Sequence, residues 1–190
     1  MFSTLKMQVL RYVLRKAALT IHFLLLMVVS GLVSQSVAYA DDASSPLDDI
    51  KSVYIYNFLS FIDWPEPQDD HYQLCVMAKG SMYQRIYTVV NGEEVEGKPI
   101  RIRPLDGKLE GCHLIYWQEG MPISSAELGT LKNSKALLVS DKNNFISDGI
   151  GMVAFETRGR KVRVALNLTA IEDAGFKVSS KLLRVVRIER

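Results

Sequence analysis

Two cysteines, three histidines and one glycine-rich turn are the residues whose types and spacing suggest chemistry in this 190-residue chain. His71 sits in an acidic loop, Asp69-Asp70-His71, and His113 follows Cys112 in a run shared with core-type residues. General acid–base work needs a histidine with an identifiable partner. No serine stands in a Gly-x-Ser-x-Gly elbow, and no metal ligands recur at helical or loop spacing. Gly149-Ile150-Gly151-Met152-Val153-Ala154 has the letters of a dinucleotide fingerprint. That fingerprint works only where a helix begins, so that its N-terminus meets a pyrophosphate. Here the glycines lead into Met-Val-Ala-Phe-Glu, an alternating run, and a turn before a strand is the reading. The residues therefore predict no catalytic site, no metal and no cofactor.

Charge places the chain before it says what the chain meets. Residues 1–40 hold Lys6, Arg11, Arg15 and Lys16 and no acid, then an apolar run from Leu19 to Val33, then Ala38-Tyr39-Ala40. This is the three-part pattern of a secretory signal peptide, with cleavage expected after Ala40. The apolar run is shorter than the roughly 20 residues that span a bilayer. Without those four bases, 19 bases face 21 acids, so the basic balance of the whole chain is no argument for nucleic acid. Export makes Cys75 and Cys112 informative: an even pair in an oxidising compartment is most simply a disulfide. A metal or redox site on Cys112-His113 is the alternative. It is disfavoured because strand neighbours point to opposite faces and no Cys-x-x-Cys occurs.

The elements that must position these residues follow from periodicity. Ser45-Pro46 with Asp48 and Asp49 opens a helix over about 46–62, whose apolar residues recur at three-and-four spacing before Pro65 and Pro67. Strands are predicted at 73–79, 99–103, 112–117 and 135–140, with helices at 81–90 and after Ser124, where Ser-x-x-Glu reads as a capping box. A hairpin pairs 151–156 with 161–166 around Arg158-Gly159, and short helices at about 169–174 and 179–188 close the chain. Asn167-Leu168-Thr169 is a formal sequon, but its place predicts that Asn167 ends a strand and caps the next helix. Helices alternating with strands, then a hairpin, predict one α/β sandwich with a mixed sheet flanked by helices. It would occupy residues 41–190 as a single domain.

Surface charge is the remaining signal. Residues 41–96 carry 11 acids and 3 bases, and residues 97–190 carry 10 acids and 16 bases. Lys181, Arg184 and Arg187 recur by three on the expected last helix, a stripe suited to an acidic partner or a membrane surface, although a solvated helix face is the commoner explanation of such charge. With Phe145, Ile150 and Met152 near the glycine turn, they form the expected partner surface. Arg163 and Asn167 share one strand face by period, which would suit a small anion.

Several segments together resemble the YfiR-like family of bacterial periplasmic proteins. They are Tyr54-Ile-Tyr-Asn-Phe-Leu-Ser-Phe-Ile-Asp-Trp-Pro65-Glu66, Leu74-Cys75-Val76, Gly97-Lys98-Pro99-Ile100 and Gly111-Cys112-His113-Leu114-Ile115-Tyr116. Ala136-Leu137-Leu138-Val139-Ser140-Asp141, Gly149-Ile150-Gly151-Met152 and Val162-Arg163-Val164-Ala165-Leu166-Asn167-Leu168 follow in the same order. The resemblance implies an α/β fold and a non-enzymatic periplasmic repressor. Such a repressor binds the periplasmic sensor domain of an inner-membrane diguanylate cyclase, lowering cyclic di-GMP. It also implies a homodimer and sequestration by an outer-membrane lipoprotein. Cys75 and Cys112 match one of the prototype's two cysteine pairs by position, and the second pair has no counterpart here. A small-ligand-binding periplasmic protein with no fixed protein partner is the competing expectation.

Overall fold

A computed structural model describes residues 45–65 and 69–189; the signal peptide expected over 1–40 lies outside them. The first helix among the described residues, α1 (Pro46–Phe61), begins where the sequence demands it. The Ser45 hydroxyl accepts from the Leu47 N–H, Pro46 fills the first turn, and Asp48 and Asp49 face the helix dipole. It gives way to β1 (Ile62–Asp63) and then β2 (Tyr72–Met77). There follow α2 (Gly80–Val90), β3 (Glu94–Val95), β4 (Lys98–Pro104), β5 (Leu114–Trp117), α3 (Ser125–Lys132), β6 (Leu137–Ser140), β7 (Val153–Arg158) and β8 (Lys161–Asn167). The chain closes with α4 (Leu168–Asp173), β9 (Lys177–Val178), α5 (Ser180–Leu183) and β10 (Arg187–Glu189).

Eight strands make one mixed sheet in the order β10-β8-β7-β6-β5-β2-β4-β3. Five of them, β4, β2, β5, β6 and β7, are parallel, while β8 returns antiparallel to β7 and β10 lies parallel to β8. The short pair β1 and β9 ties the end of α1 to the C-terminal region, with Ile62 opposite Val178. The central strands are buried on both faces, so they read as continuous apolar runs. Leu74, Val76, Leu114, Tyr116, Leu137, Val139, Val164 and Leu166 point to one face. There they meet Ile55, Phe58 and Leu59 of α1, Met82, Ile86 and Val90 of α2, and Ile171 of α4. Cys75, Ile115, Trp117, Leu138, Ala154 and Ala165 point to the other, against Leu131 of α3 and Phe145 and Ile146. The result is the α/β sandwich with a mixed sheet that the pattern predicted. Among the described residues, no helix is long and apolar enough to cross a membrane.

Ser124 and Glu127 form the predicted capping box, each side chain bonded to the other's backbone N–H. The Asn167 side chain accepts from the Ala170 N–H at 3.0 Å, so the sequon's asparagine ends β8 and caps α4 as read. Two expectations need correction. Cys112 precedes β5 instead of lying within it. The last helix ends at Leu183 and not at 188, because β-branched Val185, Val186 and Ile188 favour an extended chain and β8 offers an edge to pair with. Lys181, Arg184 and Arg187 therefore do not share one helical stripe.

Candidate interaction surface

The disulfide links Cys75 in the sheet centre to Cys112 in the loop before β5, with Cα atoms 5.8 Å apart. Arg103 holds that loop from β4: its Nη2 donates to the carbonyls of Lys108 and Glu110 at 2.8 and 3.1 Å and lies 3.1 Å from Cys112 Sγ. Next to the bridge, His113 Nδ1 accepts from the Gln73 N–H at 2.9 Å, which places the proton of the neutral ring on Nε2, 3.8 Å from Asp69. Tyr72 and Trp64 flank the ring, with centroids at 5.6 and 6.4 Å. Burial lowers the His113 pKa below its ordinary value, against a smaller upward pull from Asp69. A neutral imidazole committed to a backbone N–H is a structural part and has no nucleophile to activate.

At the opposite, carboxyl ends of the parallel strands lies the place where open α/β sheets commonly receive ligands. Here it is filled by the chain's own groups. Lys51 of α1 reaches down to Asp141 at 2.5 Å, with both side chains nearly buried. The other Asp141 oxygen accepts from the Glu119 N–H at 2.6 Å. Ser81 at the start of α2 donates to Asp48 at 3.1 Å, and Arg85 pairs with Asp49 at 2.5 Å. Beneath them the phenol of Tyr116 is fully buried. Burial, then the Asp141 carboxylate, pushes its pKa well above the ordinary tyrosine value. Sequence reasoning missed this cluster, although the signal was present: Lys51 stands on the apolar stripe of α1, in step with Ile55, Phe58 and Leu59.

The expected partner surface separates into two groups. Phe145 and Met152 are buried and offer no contact surface, and Ile150 is half-buried. Phe145 is held there by a close approach: a Cβ on Gly151 would lie 2.0 Å from the Phe145 ring, so the glycine serves packing and not a phosphate. Their apolar character reflects the core, a role that hydrophobicity alone does not distinguish from an interface. Lys181 and Arg184 are exposed. Between and beyond them stand Val185, 64% exposed, and Ile188, 41% exposed. Arg187 is in β10, where it pairs with Glu156 of β7 and with Glu189 at 2.5 Å. The C-terminal segment thus combines exposed apolar side chains with a basic rim. Arg163 is exposed opposite Glu156 in the β7–β8 register, while the Asn167 amide oxygen is engaged as a cap.

Concavities also mark the surface, two of them beside the residues singled out above. One, about 350 Å³, lies between the 105–109 loop and α3 and is lined mainly by Met77, Leu105, Leu109, Met121, Ile123 and Leu131. The other, about 260 Å³, runs between residues 142–147 and β7. Among the described residues, no group of three or more histidines, cysteines or carboxylates is placed to hold a metal ion.

No curated protein is significantly similar to this chain. Residues 48–187, from the first turn of α1 to the first residue of β10, match the family model described as YfiR/HmsC-like. With that match over most of its length, and with the sandwich and the Cys75–Cys112 bridge in place, the chain belongs to the YfiR/HmsC-like family.

Proposed function

We propose that this protein is a periplasmic regulator, delivered there by cleavage after Ala40, that binds the sensor domain of an inner-membrane diguanylate cyclase. Binding holds the cyclase output off, and the effect equals the regulator's differential affinity for the inactive sensor state. Family membership supports the signalling role. The observation that carries the binding role is the C-terminal segment, where Val185 and Ile188 are exposed beside Lys181 and Arg184. Exposed apolar side chains rimmed by charge are the usual makings of a protein interface.

The test is affinity purification of the tagged protein from crosslinked cells, with and without Val185→Asp. Recovery of a membrane protein with a periplasmic sensor and a cyclase output is expected. The variant should lose at least tenfold of it while melting at the same temperature. Recovery that is indifferent to Val185→Asp would remove the segment from the interface, and recovery of no membrane partner would overturn the regulator reading. The apolar concavity beside α3 favours a second reading, a small-ligand sensor. In that case a thermal-shift screen of apolar metabolites would raise the melting temperature in the absence of any protein partner.

A further inference from the structure

We propose that the β7–β8 ribbon is a docking edge for an extended acidic segment of a protein partner, which would add as a strand beside β7. The inference rests on the reading above only in taking the partner to be a protein.

Charge is the first observation. From Thr157 to Ile171 the chain has four cations and no acid. Arg158, Arg160, Lys161 and Arg163 are all exposed at the ribbon's end. Gly159, at φ +61°, opens a two-residue turn between Arg158 and Lys161, the arrangement that lets a hairpin turn tightly. The nearest acid on the ribbon, Glu156, is already paired with Arg187. Among the described residues, Arg158, Arg160 and Lys161 make no ion pair.

The backbone is the second. β6 ends at Ser140, opposite Ala154, while β7 continues to Arg158. The Asn167 N–H donates to the Met152 carbonyl, so in this antiparallel ladder the even-numbered residues of β7 bond to β8 and the odd-numbered ones face away. The N–H and C=O of Thr157 therefore point to the side that β6 has vacated. Along that side runs the 260 Å³ groove, with Lys142, Asn144, Thr157 and Arg158 in its wall beside Glu156 and Glu189, whose carboxylates are both paired with Arg187. An open strand edge beside a groove takes an extended peptide by main-chain hydrogen bonding, with side chains giving selectivity. The cations select acids.

An anionic membrane is the less fitting occupant. Interfacial binding relies on apolar side chains entering the headgroup boundary. Among the described residues, the large exposed apolar side chains are Ile50, Val53, Tyr87, Val185 and Ile188, none of them on this ribbon.

The experiment uses the purified protein and a fluorescein-labelled eight-residue peptide alternating glutamate and valine, read by anisotropy. Saturable binding is expected, weakened at least tenfold by the exposed charge reversals Arg158→Glu and Arg160→Glu together, with an unchanged melting temperature. The same peptide N-methylated at alternate amides keeps its charge but cannot pair as a strand, and should lose binding to a similar extent. Equal binding of the methylated peptide would overturn edge pairing. Binding of phosphatidylglycerol vesicles but not of the peptide would overturn the proposal in favour of a lipid surface. Binding of neither would leave the cations the lesser role of keeping an open edge solvated, and would also overturn it. No cyclase enters this measurement, so its failure and the failure of the cyclase reading are separately visible.

Discussion

At the scale of the residue, the buried pair between Lys51 and Asp141 is a consequential polar contact. It spans 90 residues of sequence and fastens α1 to the carboxyl end of β6. A buried ion pair adds little over a well-packed apolar substitute, but removing one partner strands the other. Lys51→Met should therefore cost about 3–5 kcal/mol. Urea denaturation would measure it, and adding Asp141→Leu should restore part of the loss. A cost below 1 kcal/mol would mean that water reaches Asp141. The same scale shows where sequence reasoning stops. The cysteine pair was legible because compartment and parity suffice to suggest a bridge, and Asn167 because a cap is local. Phe145 was misread because its apolar side chain fits a core as well as an interface. Only the approach of Gly151 to its ring decides between them.

Elements were legible to the extent that their own residues fix them. The apolar stripe and capped start of α1, the capping box of α3 and the alternation along β4 all carry their assignment locally. The short strands β1, β3, β9 and β10 do not: two or three residues have no period, and each exists only because another edge lies beside it. The last helix was overextended for that reason. At the join of β2 and β5, His113 gives the elements a pH dependence. Its pKa is lowered in the fold by burial, so above the ordinary value of about 6.5 the ring is neutral in both folded and unfolded chains. As pH falls below that value the unfolded chain takes up the proton first, and stability decreases until the folded-state pKa is reached. Protonation at Nδ1 would also remove the acceptor of the Gln73 N–H. Between pH 7.5 and 5.5 the urea midpoint should drop more for the native protein than for His113→Asn. Parallel curves would assign the acid response elsewhere.

For the whole molecule, the sheet order was the part least available to sequence. Alternation of helices and strands implies a parallel centre, but placing β5 beside β2 instead of β4 depends on long-range packing. The disulfide acts at this scale because it restrains the unfolded chain. Closing a 37-residue loop is worth about 4 kcal/mol in the chain-entropy account. The double variant Cys75→Ser, Cys112→Ser should be less stable by roughly that amount, with the difference visible as a lower urea midpoint and a somewhat steeper denaturant slope, because the released unfolded chain exposes more surface. A marked fall in the slope would show instead that the reduced protein has lost part of its folded structure.

The position of α1 has one more consequence, for how the chain comes to be folded. The helix is made first, yet the surfaces that cover it come late: its residues pack with Val164 and Leu166 of β8, and its end is tied down by β9. Until about a hundred further residues have emerged, the β7–β8 part of that cover is missing, including Phe155, whose ring lies 5.8 Å from that of Phe58. Contacts this distant in sequence slow folding, because the intervening chain must be closed before they form. The newborn protein thus presents part of this apolar face to the surroundings for much of its synthesis, and that face is where a holding chaperone would find its grip.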